Sequence, residues 1–402
     1  VRRLNLISSV GRVMMLTADV STLLIQLIIV PFLSPKVFAK TVGGGVKAML
    51  NPLSHEAMLA NNSRTVQGFK NVILSKQGIE GTEAFGRGQL LSPEGPWKKH
   101  FLGKTIGRSL QPFKRFYEAS LDTAAIELKK GLEHIPKNAQ EMLQLEQFIN
   151  VVRGLTSSTR LGVAPSIQAA EALFFLAPRY NRAIAALMTD ILRGGLRGKM
   201  ARKAIMRATA GFAMIGTSIT LAKGEGWEGV GRHLDIRSPD FMMWEFAGQK
   251  LGIGSKMRSV LALTGKMAHE PEKTVDHVLR WTRGNLSPLM GTAVDVVKGK
   301  DFLGNPTAPW THGVDPGEGM LALTKTILAE NLMFLWLNTA VFDEGTLGQR
   351  ALRGGVEFLG MRAYEPSSVS SSYRFRWRDD LDEYNEIPVS RVERAKEGAE
   401  VS

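Results

Sequence analysis

The stretch from Trp281 to Pro306, WTRGNLSPLMGTAVDVVKGKDFLGNP, holds the end of one helix, the start of another and a Gly/Asp/Pro turn. Arg280, Trp281 and Arg283 close a helix, and Gly284 and Asn285 can terminate it, because both residue types tolerate a left-handed backbone beyond the last turn. Ser287 and Pro288 then reopen one. Serine is a good N-cap, and proline loses nothing at the first helical position, where its N–H would have no partner. Leu289, Met290, Ala293, Val294 and Val297 follow at helical spacing. Gly299 stops that helix, and 301–306 reads as a loop pinned to an apolar surface by Phe302 and Leu303. A helix–turn–helix corner against a core is the expectation here.

Working upstream, helices are expected over 255–267 and 273–281, parted by Pro271. Before them the period shortens to two: 233–236, 240–246 and 248–253 read as short strands, with one β-hairpin at about 240–253 the only sheet expected. Residues 199–221 form a long helix. Its first turns are basic and its last turns, 208–222, carry no charge. Ala208, Gly211, Gly216 and Ser218 would admit a close neighbour. Helices are also expected over 112–132, 138–152 and from Pro165 to Leu192, the last interrupted by Pro178 and ended by Gly194-Gly195. Residues 153–162 read as a polar loop. A helix over 53–76 is capped by Ser54, and Gly43-Gly44-Gly45 is a hinge that ends an earlier one. The apolar run 4–33 is broken by Pro31 and Pro35. Its uncharged part, Val20 to Pro35, falls short of the ~20 residues that span a bilayer, so a buried helix is expected. Downstream come a Pro/Gly loop at 307–319, an apolar helix at 320–342 containing a lone Glu330, a short helix at 351–359 and a polar extended arm from 365 that orders on a partner.

The sum is a mainly α chain, an elongated multi-helix assembly with one small β-hairpin near 240–253. Its expected parts are N-terminal apolar helices with a Gly/Pro-rich loop (1–96), a basic-aromatic segment (97–140), a helical core with the hairpin (141–306), C-terminal apolar helices (307–364) and the arm (365–402). The 402 residues carry 51 Lys and Arg against 38 Asp and Glu, a net charge of +13, which suits a polyanionic partner such as nucleic acid or lipid head groups. With no cysteine there is no disulfide framework, thiolate nucleophile or zinc–thiolate site.

No catalytic constellation emerges. GEGWEG at 224–229 matches G-x-G-x-x-G by letter but follows a helix, so the strand-to-helix turn that cradles a pyrophosphate is lacking. The sequence 102–105, LGKT, resembles the end of a P-loop, but Lys98 stands where the first glycine is required. None of the seven histidines forms H-E-x-x-H, and His269 and His277, which can approach across Pro271, lack an evident third ligand. There is no G-x-S-x-G, and acid pairs such as Glu225 and Glu228 are expected by chance. No cofactor and no metal are expected. The strongest signal left is cationic: Arg193, Arg197, Lys199, Arg202, Lys203 and Arg207 fall within about four helical turns. Phosphate contacts from such a cluster would be salt-dependent and blind to sequence.

Several segments in this order carry a resemblance: FINVVRGL (148–155), LFFLAPRYNRA (173–183), the glycine-bounded helix 199–223, RSPDF (237–241) with its hairpin, and RGNLSPLMGTAVDVVKGKDFLGNP (283–306). Together they resemble the C-terminal region of bacteriophage proteins with large polyvalent protein-associated domains, over roughly 140–306. The resemblance implies a non-enzymatic internal core or ejection protein. Such a protein sits in the virion interior, at the portal or head–tail channel, and passes to the host cell envelope with the genome. Its implied partners are copies of itself, portal or other virion proteins, packaged DNA bound non-specifically, and the host membrane. An alternative of a different class is a DNA-binding accessory protein acting in the host cytoplasm. A third, an enzyme on a fold read otherwise, would require a cleft carboxylate whose loss abolishes activity.

Overall fold

A computed structural model describes residues 26–75, 101–156, 178–252 (except 239, 247 and 248), 254–286, scattered positions at 163–175 and 290–297, Gly348 and 362–364. These all belong to one unit, Val1–Tyr364; Glu365–Ser402 form a second, outside the described residues. In order, the elements are α1 (Val30–Leu33), α2 (Pro35–Leu50), α3 (Ser54–Asn61), α4 (Ser63–Gln67), α5 (Phe101–Leu132), α6 (Ala139–Val152), α7 (Pro178–Ile191), α8 (Gly195–Ala222), α9 (Gly226–Leu234), β1 (Met243–Phe246), β2 (Gln249–Gly252), α10 (Ser255–His269), a 3-10 turn (Pro271–Lys273), α11 (Thr274–Arg283) and β3 (Arg362–Tyr364). The chain is mainly α. The hairpin forms where its alternation placed it, with Met243 opposite Gly252 and Phe246 opposite Gln249. A third strand extends it, Lys250 pairing with Tyr364.

The helix at Trp281 ends at Arg283 as expected, but without a left-handed residue, Gly284 standing at φ -68°. Gly284 follows the last turn of α11, and the Asn285 amide donates back to the Trp281 carbonyl at 2.6 Å. The Trp281 indole donates to Ser259 Oγ at 2.9 Å, tying α11 to α10. Residues 301–347 and 351–359, with the loop and helices expected there, lie outside the described residues, as do the apolar run before Gln26 and the loop 78–96.

Five local expectations are corrected. Pro31 does not break a helix but sits in the first turn of α1; the break expected at Pro35 is present, with Ser34 extended between α1 and α2 and its Oγ accepting from Val37 N at 3.3 Å to cap α2. Gly43-Gly44-Gly45 is not a hinge, because α2 runs straight through it against α5. Residues 53–76 are not one helix: α3 and α4 end at Gln67, and Leu53, not Ser54, stands at the N-cap. The helix expected from Pro112 begins at Phe101 with Pro112 inside it. Residues 233–236 do not open as a strand. Gly224 and Gly226, both at positive φ, turn the chain out of α8 into α9, which holds His233 and Leu234 in its last turn.

The core runs from Leu27 to Met257 and joins α1, α2, α5, α6 and α8 to the hairpin. Phe148, Leu145 and Leu121 are fully buried at its centre, and the Phe32 and Phe212 rings meet at 4.5 Å. Trp244 packs under the end of α8, donating to Thr220 Oγ1 at 2.7 Å.

After α4 the chain leaves helical structure, with Val72 and Leu74 buried at a period of two. It has no strand partner among the described residues, and side chains of α5 and α6 take that place. Glu146 accepts from Lys70 N and Asn71 N, at 3.1 and 2.7 Å. Asn150 accepts from Ile73 N and donates to Asn71 O, at 2.9 and 2.7 Å. Asp122 accepts from Ser75 N at 2.9 Å. Arg153, expected in a polar loop, is fully buried and donates to Leu121 O, Ile73 O and Asn150 Oδ1. Burial pulls its guanidinium down to about 10, against the attraction of Asp122. Lys129 neutralises Glu146 at 2.7 Å. Buried backbone groups must be paired, and here helix side chains pair them.

On α10, burial and then the charges of Arg280 and Arg258 hold the Lys266 amine down at about 7, with Glu270 opposing them. The unfolded chain keeps that proton up to the ordinary value of 10.5. Above about pH 7 the unfolded state therefore binds more protons, and stability should rise with pH toward 10. Lys266→Met should flatten that rise, gaining a few degrees in Tm at pH 7 and nothing at pH 10. Thermal melts across this range check it, and parallel curves for the two proteins would contradict it.

Candidate polyanion-binding face

The first half of α8 carries the cationic cluster. Between Asp190 and Glu225 lie seven Lys and Arg residues and no carboxylate. The helix starts on Gly194 and Gly195, with no side-chain cap. Its packing side is lined by small residues, and a Cβ on Gly211 would collide with the Phe32 ring. On Gly216 a Cβ would stand 3.0 Å from Trp244. The close neighbours that these positions admit are thus a phenylalanine from α1 and the hairpin tryptophan. Ala208 is buried with them, whereas Ser218 faces solvent.

The six cations divide by function. Arg197 turns inward: its Nε donates to the buried Asp190 at 2.5 Å and its Nη1 to Gln147 at 2.9 Å. Arg193 reaches the same carboxylate at 3.4 Å but is more than half exposed. Arg202 donates to the carbonyls of Ile191 and Arg193, at 2.8 and 3.0 Å, closing the end of α7. Arg207 donates to Leu33 O at 3.2 Å. Each of these two keeps an unneutralised charge at an exposed position, because a carbonyl satisfies an N–H without cancelling the cation. Lys199 and Lys203 are exposed and have no acidic partner among the described residues.

The second half of α8 is uncharged and poorly covered. Met214 is 66% exposed, Ile215 40% and Leu221 42%, and Met206, among the cations of the first half, is also 66% exposed. Trp227, on α9 just beyond, is 73% exposed. Among the described residues α8 is the one helix long and apolar enough, by length and composition, to cross a membrane.

Other polar clusters serve the fold. Asp122 Oδ2 accepts from Ser75 Oγ at 2.5 Å and meets His55 Nε2 at 3.0 Å. The carboxylate is the hub, so the imidazole is not set to take the serine proton as a nucleophilic triad requires. In the GEGWEG turn, burial raises the Glu225 carboxyl, but hydrogen bonds from His233 and Lys223 outweigh it and hold the group below the ordinary range. His277 is bound to Glu270 at 2.9 Å. No group of three His, Asp or Glu suited to a metal ion occurs among the described residues. No family model, curated protein or solved structure matches this chain.

The sequence located the cluster but not its division. Asp190 ends α7 and Arg197 opens α8, so what brings them together is the turn at Gly194-Gly195 between the two helices.

Proposed function

We propose that the chain is a non-enzymatic internal virion protein of a bacteriophage, a core or ejection protein at the portal or head–tail channel. It leaves with the genome and helps DNA cross the host envelope. The observation that supports this reading is α8, whose exposed cations lie on a stretch without a carboxylate and lead into exposed, uncharged turns. The cations suit packaged DNA, and the apolar turns suit a second copy, a portal protein or lipid. The cytoplasmic DNA-binding alternative draws on the same lysines but leaves Met206, Met214 and Trp227 without a partner. Mass spectrometry of purified particles, before and after genome release, tests the proposal: the chain should be present before and depleted after. Absence from particles would leave the cytoplasmic reading.

Both readings require phosphate contact. The double variant Lys199→Glu/Lys203→Glu should bind duplex DNA at least tenfold more weakly at low salt. The slope of log affinity against log salt should flatten by about 1.8, at ~0.9 for each phosphate no longer neutralised. Fluorescence anisotropy over a salt series measures both, and an unchanged slope would remove these lysines from the interface.

A further inference from the structure

A cleft of about 230 Å³ opens where the α1–α2 junction, the end of α5 and the first half of α8 meet. It is lined by Leu33, Val37, Leu128, Leu132 and Met200, by Ser34, and by the cations Lys203 and Arg207. Gly131 lies on the α5 side, where an added Cβ would meet nothing within 4 Å. The one carboxylate on the lining, Glu127, already pairs with Lys40 at 2.5 Å and with Lys130 at 3.7 Å. Among the described residues Lys203 and Arg207 have no acidic partner, so the lining offers positive charge beside hydrocarbon.

Two simpler occupants fit poorly. Ordered water can be held by Ser34, Lys203 and Arg207 but gains nothing from the apolar part of the lining. A DNA phosphate would use the cations and leave the apolar walls uncovered. We propose that the cleft binds a single-chain anionic amphiphile. Its phosphate or carboxylate head lies against Lys203 and Arg207, and its chain lies along Leu33, Val37, Leu128, Leu132 and Met200. The cleft exceeds the ~150 Å³ of a cavity that takes up benzene, so a short single chain such as octyl is a probe of suitable size. The proposal stands whether or not the chain travels in a virion.

Isothermal titration of the full chain with octyl phosphate, octyl glucoside and inorganic phosphate tests it. Octyl phosphate should bind at least tenfold more tightly than either of the others. Octyl phosphate no tighter than inorganic phosphate would reduce the site to a bare cation patch. Octyl phosphate no tighter than octyl glucoside would reduce it to a bare apolar groove. Either result overturns the proposal. Gly131→Leu, which fills the open space beside an exposed helix position, should weaken octyl phosphate more than tenfold and leave DNA affinity unchanged. Unchanged octyl phosphate affinity in that variant would place the ligand elsewhere. A readout on the unaltered protein is amine acetylation followed by peptide mass spectrometry. Octyl phosphate should protect Lys203 and not Lys199, one turn earlier; equal protection or none would also overturn the assignment.

Discussion

Replacing Arg153 with leucine is expected to destabilise the protein by about 3–5 kcal/mol, the usual cost of removing one member of a buried charged network. The guanidinium is fully buried and donates to carbonyls on α5, on α6 and in the segment 70–75. Leucine fills part of the volume and supplies no donor, so the oxygens of Leu121 and Ile73 are left without this partner in a dry core. Asp122 loses a buried cation that attracts it. Arg153→Lys should recover a minor part, because one ammonium cannot span the same three acceptors. Urea denaturation gives the magnitude, and hydrogen exchange locates it: the amides of Ile73 and Ser75 should lose protection before those of α8. A loss below 1 kcal/mol would mean that the segment is held by Val72 and Leu74 alone.

That network also marks the limit of what the sequence discloses. Elements set by rules of short range were legible. Asn138 caps α6 by accepting from Glu141 N at 2.8 Å, and Asn285 closes α11. The hairpin follows its alternation. Elements set by distant partners were not. The run 70–75 carries helix-compatible residues, and what pairs its backbone outside a helix is Glu146 and Asn150, more than seventy residues away. Arg153 reads as polar and therefore exposed until Asp122 and three carbonyls surround it. Arg362–Tyr364 is too short to show a period, and its pairing with Lys250–Gly252 is a contact of the folded chain. The candidate site divides in the same way. The density of positive charge on α8 is a sequence fact, whereas which cations remain available depends on Asp190 and on carbonyls at the ends of α1 and α7.

The glycine run in α2 yields the second large effect. Gly45→Val should cost about 3 kcal/mol, at the upper end for overpacking a tight contact. A Cβ at Gly45 would strike the Ser120 hydroxyl and stand 2.9 Å from the Phe116 carbonyl oxygen, and a backbone atom cannot rotate aside. The helices α2 and α5 would have to part along their whole contact, lifting Val37 and Ala48 from the core. Gly44→Ala should cost less, because its nearest obstacle, Thr123 Oγ1 at 2.6 Å, is a side-chain atom. Gly43 faces open space. There Gly43→Ala should stabilise by about 0.5–1 kcal/mol, since alanine has less backbone freedom to lose in a helix. Three adjacent glycines should thus run from a gain at 43 to the largest cost at 45, readable from thermal melts of the single variants. A hinge at this run predicts the reverse, with all three substitutions stabilising the helix alike. Equal gains at Gly43 and Gly45 would therefore refute close packing of α2 on α5.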